Sequence, residues 1–238
     1  MKLAPQISQI RTTRRDNAFL VEDGDGLTLI DVGWARAPKT LLNAVADLGL
    51  KPSDIRRLVL THAHPDHVRG AAELRRQTGA AILIHRADAD WLQAGRVPAD
   101  GRSGALGRLL DRLPPLHWAP VEPDALLEDG DLIADTGLRV IHTPGHTPGH
   151  IVLHHEPSHT LLMGDAAFNR GDTPSLGPAA LAADPAARPA SLAKLPADPA
   201  AVGFAHGIAL TGAATTAYRR LLEQSLTSDR QTGDDHHA

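Results

Sequence analysis

The chain contains no cysteine. That excludes disulfides, thiolate metal ligands and a cysteine nucleophile together. Aromatic residues are scarce at 3%, and Tyr218 is the single tyrosine in 238 residues. Leucine, isoleucine, valine and alanine must therefore fill the core, and an apolar content of 42% is enough for that. No apolar run approaches the roughly 20 residues needed to span a bilayer, so no membrane partner is expected. Residues 1–17 are basic but lack the apolar stretch of a signal peptide, and the expected location is cytoplasmic. A large excess of one charge is missing as well. The net charge is −4 with both signs interspersed, which gives no nucleic-acid footprint.

The patterning is that of an α/β protein. Short strands are predicted over residues 6–11, 18–22 and 27–31, with Asp23-Gly24-Asp25-Gly26 as a hairpin turn. Leu41, Leu42, Val45 and Leu48 recur at helical spacing within 38–48, and Gly49 ends that helix. Further strands are predicted at 57–60, 81–84, 138–142, 151–155, 160–163 and 202–205. Helices are predicted at 71–78, 86–93, 106–113, 186–195 and 213–226. Residues 95–120 and 172–199 are irregular and rich in Gly, Pro or Ala. One domain is expected over residues 1–226, with a disordered polar tail over 227–238.

The most informative stretch is Thr61-His62-Ala63-His64-Pro65-Asp66-His67. Imidazole nitrogen and carboxylate oxygen suit zinc and its first-row neighbours. The run follows the apolar strand Arg57-Leu58-Val59-Leu60 and precedes a helix. It thus lies at the C-terminal end of a strand, where open α/β sheets place their sites. Each later candidate ligand also follows an apolar run ending in a small-residue turn. These are His146 in Thr143-Pro144-Gly145-His146-Thr147, Asp165 in Met163-Gly164-Asp165, and His206 in Phe204-Ala205-His206-Gly207.

These motifs, in this order, resemble the His-x-His-x-Asp-His signature and the later ligands of the metallo-β-lactamase-fold hydrolases. The resemblance covers roughly residues 7–225. It implies a four-layer αβ/βα sandwich with the site at the sheet edge between two halves. By resemblance, His62, His64 and His146 hold one divalent metal, Asp66, His67 and His206 hold a second, and Asp165 bridges them. Seven ligands are too many for one tetrahedral ion and suit two ions sharing a bridge. Zinc is the expected metal, although His/Asp sites also accept iron, manganese or cobalt. Asp66 is the candidate to accept and return the reaction's proton. Asp31, in Ile30-Asp31-Val32-Gly33, matches the family's Asp-x-Gly and is expected to orient the metal loop behind the ligands.

The remaining histidines carry less weight. His85 suits a surface or packing role, His142 and His150 suit positions in the core or behind the ligands, and His117 suits an exposed one. His154, His155 and His159 read as strand and turn residues, and His236 and His237 lie in the tail.

The resemblance fixes reaction type better than substrate. Asp165, with cysteine absent, argues against the true metallo-β-lactamases, which lack the bridging Asp. His64 argues against the flavodiiron oxidoreductases, which carry Glu there. The expected substrate is a small ester or lactone, with acyl-homoserine lactones the closest family precedent. Many such lactonases carry Tyr three residues after the bridging Asp, where this chain has Phe168. Two alternatives stand beside this: a glyoxalase II-like thioesterase, and a mononuclear iron persulfide dioxygenase. For the former, the stretch after His206 supplies only Arg219, Arg220 and Arg230 as basic residues for glutathione. A purely structural metal site is disfavoured, because such sites are usually closed with four ligands. The two irregular segments are expected to wall the substrate pocket. Trp118, Phe168 and Leu176, with Trp91 and Leu106, are the candidate apolar lining. The expected partner is a small-molecule substrate, and the expected assembly a monomer or homodimer.

Overall fold

A computed structural model describes residues 1–24, 26–171 and 173–234. The first half opens with β1 (Lys2–Ala4), β2 (Ile7–Arg11), β3 (Asn17–Asp23) and β4 (Gly26–Ile30), paired antiparallel in sequence order. Helix α1 (Ala37–Asp47) then returns the chain to β5 (Ile55–Leu60), which pairs parallel with β4. The short helix α2 (Pro65–Val68) and α3 (Ala71–Thr78) lead to β6 (Ala81–His85). After α4 (Ala89–Ala94) and α5 (Ala105–Asp111) comes β7 (Ala125–Leu127), and β5, β6 and β7 are parallel neighbours. The seven strands form one sheet in sequence order.

The second sheet contains β8 (Leu132–Ile133), β9 (Leu138–His142), β10 (Ile151–His155), β11 (Thr160–Leu162), β12 (Ala201–Gly203) and β13 (Leu210–Thr211). Its order is β13-β12-β11-β10-β9-β8, with β11 and β12 parallel and the other neighbours antiparallel. Helix α6 (Arg188–Leu192) lies between β11 and β12, and α7 (Thr216–Asp234) closes the chain.

Strand alternation sorts the apolar side chains into three layers of core. In β5, Val59 faces the second sheet, packing with Phe19, Ile30, Leu138, Val140 and Leu153. Its neighbours Leu58 and Leu60 face outward onto Leu41 and Val45 of α1, Leu74 of α3 and Leu92 of α4. In the second sheet Leu153 and Leu162 point inward. Val152 and Leu161 point outward onto Leu192 of α6 and Tyr218, Leu221 and Leu222 of α7. Helix, sheet, sheet and helix thus stack as the αβ/βα sandwich that the family resemblance implies. The lone tyrosine is structural: Tyr218 is fully buried and donates its hydroxyl to Pro196 O at 2.9 Å.

The predicted elements are found, with shifted ends. The helix expected at 86–93 begins as a tight turn over Arg86–Asp88 before α4. The helix expected at 186–195 is reduced to α6, which follows a tight turn over Pro185–Ala187 and carries Pro189 in its first turn. Strands β1, β7, β8 and β13 are two or three residues long, too short for an alternation to register. Helix α7 continues past Thr227, where a tail was expected, and residues 235–238 lie outside the described ones. Among the described residues no helix is long and apolar enough to cross a membrane.

Candidate metal centre

Because β4 and β5 are parallel neighbours, their C-terminal ends lie side by side, with Ile30 opposite Val59. Asp31 therefore meets Thr61. Its carboxylate accepts from Thr61 N at 2.8 Å and from Thr61 Oγ1 at 2.9 Å. The turn after β5 then carries His62 and His64, and Pro65 starts α2 with a φ already suited to a helix. One helical turn brings His67 back beneath the loop, where its Nδ1 lies 2.8 Å from Asp31 Oδ2. Asp31 does this from a left-handed backbone, φ 58°, which costs a non-glycine residue about 1–2 kcal/mol. Asp31 thus bonds both the start of the loop that carries His62 and His64 and the ring of His67.

The other candidates come from the second sheet. His146 lies on the loop between β9 and β10, Asp165 follows β11, and His206 follows β12. Gly164 and Gly207 permit those two turns. A Cβ on Gly164 would meet His150 Nε2 at 2.7 Å, and one on Gly207 would overlap Asn169 O at 1.7 Å. Both glycines have positive φ.

All seven residues converge in three overlapping groups: His62, His64 and His146; His62, His67 and Asp165; and Asp66, His67 and His206. Within each group the donor atoms lie within 4.8 Å of one another. His64 Nδ1 is 3.1 Å from His62 Nε2 and 2.8 Å from His146 Nε2. A tetrahedral cation with arms of about 2.0–2.1 Å sets its donors roughly 3.3 Å apart, close to this spacing. Asp165 stands between the groups. Its Oδ2 is 3.2 Å from His146 Nε2, and its Oδ1 is 3.3 Å from His67 Nε2 and 3.2 Å from His206 Nε2. Asp66 Oδ2 faces His206 Nε2 at 3.4 Å and His67 Nε2 at 3.9 Å.

The surrounding hydrogen bonds fix which nitrogen carries the lone pair. Thr61 has one hydroxyl hydrogen, and Asp31 takes it, so His62 Nδ1 must donate to Thr61 Oγ1 at 3.1 Å. His67 Nδ1 donates to Asp31. When either of these two rings is neutral, its Nε2 is left unprotonated and turned into the cluster. His206 Nδ1 faces Asp16 Oδ1 at 3.0 Å as a close ionic contact. His67 Nε2 and Asp165 Oδ1 are buried without a hydrogen-bond partner. Buried, unpartnered lone pairs at this spacing fit a divalent cation.

Two supporting residues, Asp16 and Asp88, did not stand out in the sequence, while a third, His150, takes a position behind the cluster that its sequence place allows. Asp16 precedes β3 and carries no motif, yet it orients His206 and accepts from Trp34 Nε1 at 3.1 Å. Asp88 is fully buried, hidden in what reads as an ordinary helix start. It accepts from Ala63 N at 2.9 Å, Thr147 Oγ1 at 2.7 Å and Gly149 N at 2.6 Å, tying the two metal loops together. His150 accepts from Asp165 N through Nε2 and bonds Thr143 Oγ1 through Nδ1, both at 2.8 Å. Both of its nitrogens are spent on holding the Asp165 turn. His85 and His142 stack at 3.9 Å away from the cluster.

Charge is distributed unevenly. Burial holds His62 and His64 well below the usual histidine range, as metal ligation requires. Burial also opposes charge on His67, but Asp31, Asp165 and Asp66 outweigh it and raise its pKa well above normal. His206 is raised likewise by Asp165, Asp16 and Asp66 against its burial. For Asp165, burial is outweighed by His206, His67 and His146, which hold it well below the carboxylate range. Burial raises Asp88 despite its three hydrogen bonds.

A cavity of about 620 Å³ opens over the cluster. His64, Asp66, His146, Asp165, Phe168 and His206 form its floor, while Leu110, Leu116 and Leu181 line one side. The irregular segments do meet here: Ser103 N donates to Ala182 O at 2.8 Å, and Arg102 Nη1 to Leu181 O at 3.0 Å. Of the predicted lining only Phe168 is present, its ring packed edge-on against His206 at 4.8 Å. Trp118 belongs to the outer core of the first sheet instead, because its Nε1 finds Leu92 O there at 3.1 Å. Trp91 packs in that same core. Leu176 packs with the core beneath α7, and Leu106 is exposed. The cavity also holds Arg14, Arg15, Arg102 and Arg170, which the expected apolar lining left out.

A family model described as the metallo-beta-lactamase superfamily matches residues 11–221. A hydroxyacylglutathione hydrolase of Cereibacter sphaeroides is 38% identical over 159 residues, covering 65% of this chain and 49% of that protein. A probable metallo-hydrolase of Bacillus subtilis, YybB, is 27% identical over 149 residues, covering 63% and 60%. The chain thus spans about half the length of the first of these relatives. Among solved structures, a beta-lactamase from Chitinophaga pinensis superposes with a TM-score of 0.69 at 24% identity, covering 99% of this chain and 92% of that one. A metallo-beta-lactamase family protein from Thermus thermophilus gives the same score and identity, covering 97% and 81%. At that identity the structures speak for the fold alone.

Proposed function

The chain belongs to the metallo-β-lactamase superfamily, and from that premise we propose that it is a dinuclear metal-dependent hydrolase of a carboxylic ester, lactone or thioester. One observation carries this: the two oxygens of Asp165 face different histidine groups, as a bridge between two cations requires. His62, His64 and His146 would hold one ion, and Asp66, His67 and His206 the other. Two divalent ions there supply the Lewis acidity that activates water and polarises the acyl carbonyl.

The chain's own residues do the rest. Asp66 is the carboxylate of the cluster that also reaches solvent, with 25% of its side chain exposed against 5% for Asp165. It is placed to take the proton lost by water and return it to the leaving group. Its low pKa, set by His67 and His206 against burial, makes it a weak base and a ready donor. The acyl C–O or C–S bond breaks, hydroxide joins the acyl carbon, and the proton goes to the alcohol or thiol. Phe168 contributes no hydroxyl, and the Thr13 hydroxyl is committed to Asp16 at 2.7 Å. Neither side chain is therefore free to donate to the oxyanion, and bound cations would supply positive charge there.

The relatives named hydroxyacylglutathione hydrolase favour the thioester within this class. The apolar wall of Leu110, Leu116 and Leu181 suits an uncharged acyl group of an ester or lactone equally. The test is hydrolysis of a lactone, ester, thioester and phosphodiester panel, before and after chelation and metal restoration. Chelator-reversible turnover of a carboxylic acyl substrate is expected. Turnover confined to phosphodiesters, or unaffected by metal removal, would contradict the proposal.

A further inference from the structure

Four arginines line the cavity over the cluster, and among the described residues a carboxylate pairs with one of them, Arg102. Four aspartates line the same cavity. Asp66 and Asp165 face the histidines, Asp16 is bound to His206, and Asp111 Oδ2 pairs with Arg102 Nε at 2.6 Å. Arg14, Arg15 and Arg170 remain, and among the described residues no carboxylate is paired with any of them. All three also line an adjoining depression of about 540 Å³, with Arg11, Asn17, Asn169 and Ile208. No acidic residue is among its described lining. The chain as a whole is acidic, with a net charge of −4, so this concentration of arginine is local.

The three arginines are held at the site by its own parts. Arg14 and Arg15 sit in the turn between β2 and β3, closed by Thr12 N and Thr13 N donating to Asp16 O at 2.9 and 3.2 Å. Asp16 fastens that turn to His206. The Arg170 guanidinium lies 5.1 Å from the centre of the Phe168 ring, whose edge contact with His206 is 4.8 Å. A single phenyl ring thus separates a guanidinium from a histidine of the cluster, and a cation over an aromatic face is held there at little cost.

The geometry points to an anion subsite formed by Arg14, Arg15 and Arg170, which takes a carboxylate or phosphate on the substrate's leaving portion. The assignment rests on reading the centre as an acyl hydrolase. The same cavity is also lined by Leu110, Leu116 and Leu181 beside the Arg102–Asp111 pair, and the proposal seats the uncharged acyl part against these leucines. With the carbonyl over the cluster, the leaving portion extends across the arginines into the adjoining depression. Guanidinium groups bind carboxylate and phosphate through paired N–H bonds.

Three thioesters of one acyl group separate the possibilities: a neutral N-acetylcysteamine ester, a carboxylate-bearing glutathione ester and a phosphate-bearing coenzyme A ester. At low salt an anionic ester should show a KM about 10-fold or more below the neutral one, and salt should narrow the gap. Whichever anionic arm is favoured identifies carboxylate or phosphate as the group recognised. In the double variant Arg14→Ala/Arg15→Ala the anionic-to-neutral ratio of kcat/KM should fall by about 10-fold, and lysines at both positions should restore part of it. Calorimetry with the matching unreactive thioethers reads the same preference without turnover. Equal binding of charged and neutral thioethers, or a preference untouched by the double variant, overturns the subsite. Charge-selective thioether binding with no acyl hydrolysis overturns the hydrolase reading and leaves the subsite standing.

Discussion

His67 Nδ1 donates to Asp31 Oδ2 at 2.8 Å, and the same carboxylate accepts from Thr61 N at 2.8 Å. One side chain therefore fixes both the ring orientation of a metal-facing histidine and the start of its loop. Asp31→Ala should weaken metal affinity about 10–100-fold while the fold survives, because outer partners of ligands typically contribute that much. Asp31→Gly should share the metal defect but be more stable than the alanine variant by about 1 kcal/mol, since the φ of 58° suits glycine. Competition against a chelating dye reads the first effect, and urea denaturation of the metal-free protein the second. Unchanged affinity in both variants would reduce Asp31 to a turn residue.

Asp88 makes a different prediction because it touches no metal-facing side chain. It joins Ala63 of the first metal loop to Thr147 and Gly149 of the second. Asp88→Ala leaves two buried N–H groups unpaired, at about 1–3 kcal/mol each. A loss of at least about 2 kcal/mol in folding stability is expected, seen by denaturant titration with metal removed. Asp88→Asn keeps one acceptor and should lose less. A change under about 0.5 kcal/mol in the alanine variant, the scale of an ordinary surface substitution, contradicts this account.

Most strands and helices, and the candidate ligands at strand ends, were legible in the sequence, while the two-sheet packing and the grouping of the seven residues came with the family resemblance. Long apolar strands and ligands at strand ends are local patterns, and Leu58-Val59-Leu60 before His62 carries both. Asp16 and Asp88 were not legible, because nothing local marks a carboxylate whose partner lies far along the chain. Asp16 and His206 meet only once β3 pairs within one sheet and β12 within the other. Trp118 misled for a related reason. Its irregular segment reads as a loop over the site, while the indole needs a buried acceptor and finds Leu92 O. The arginines were passed over because Arg14, Arg15, Arg102 and Arg170 gather only in space.

The raised pKa values of His67 and His206 make metal loading depend on pH. With metal stripped, both rings hold a proton at neutral pH. Their folded-state pKa lies above the unfolded value near 6.5. The stability they lend the metal-free protein is therefore full below pH of about 6.5 and is lost as pH rises through the folded-state values. Asp165, held low, lends stability above pH of about 3.8 that is lost as pH falls through its folded-state pKa. Metal must displace the histidine protons, so apparent affinity should rise with pH and binding should release protons. Calorimetry in buffers of different ionisation heat counts them. Affinity independent of pH between about 6 and 8 would remove the argument.

The most direct measurement is metal content beside activity in wild-type protein and in Asp165→Ala. Asp165 places one oxygen towards each histidine group, and the variant removes the negative charge between two cations. Elemental analysis after dialysis should give two divalent ions per wild-type chain. The variant should hold fewer than two and lose acyl hydrolysis by at least about 10²-fold, the scale of a lost charge-stabilising group. Two tightly held ions with full activity in Asp165→Ala, or a single ion in a fully active wild-type protein, would contradict the dinuclear centre.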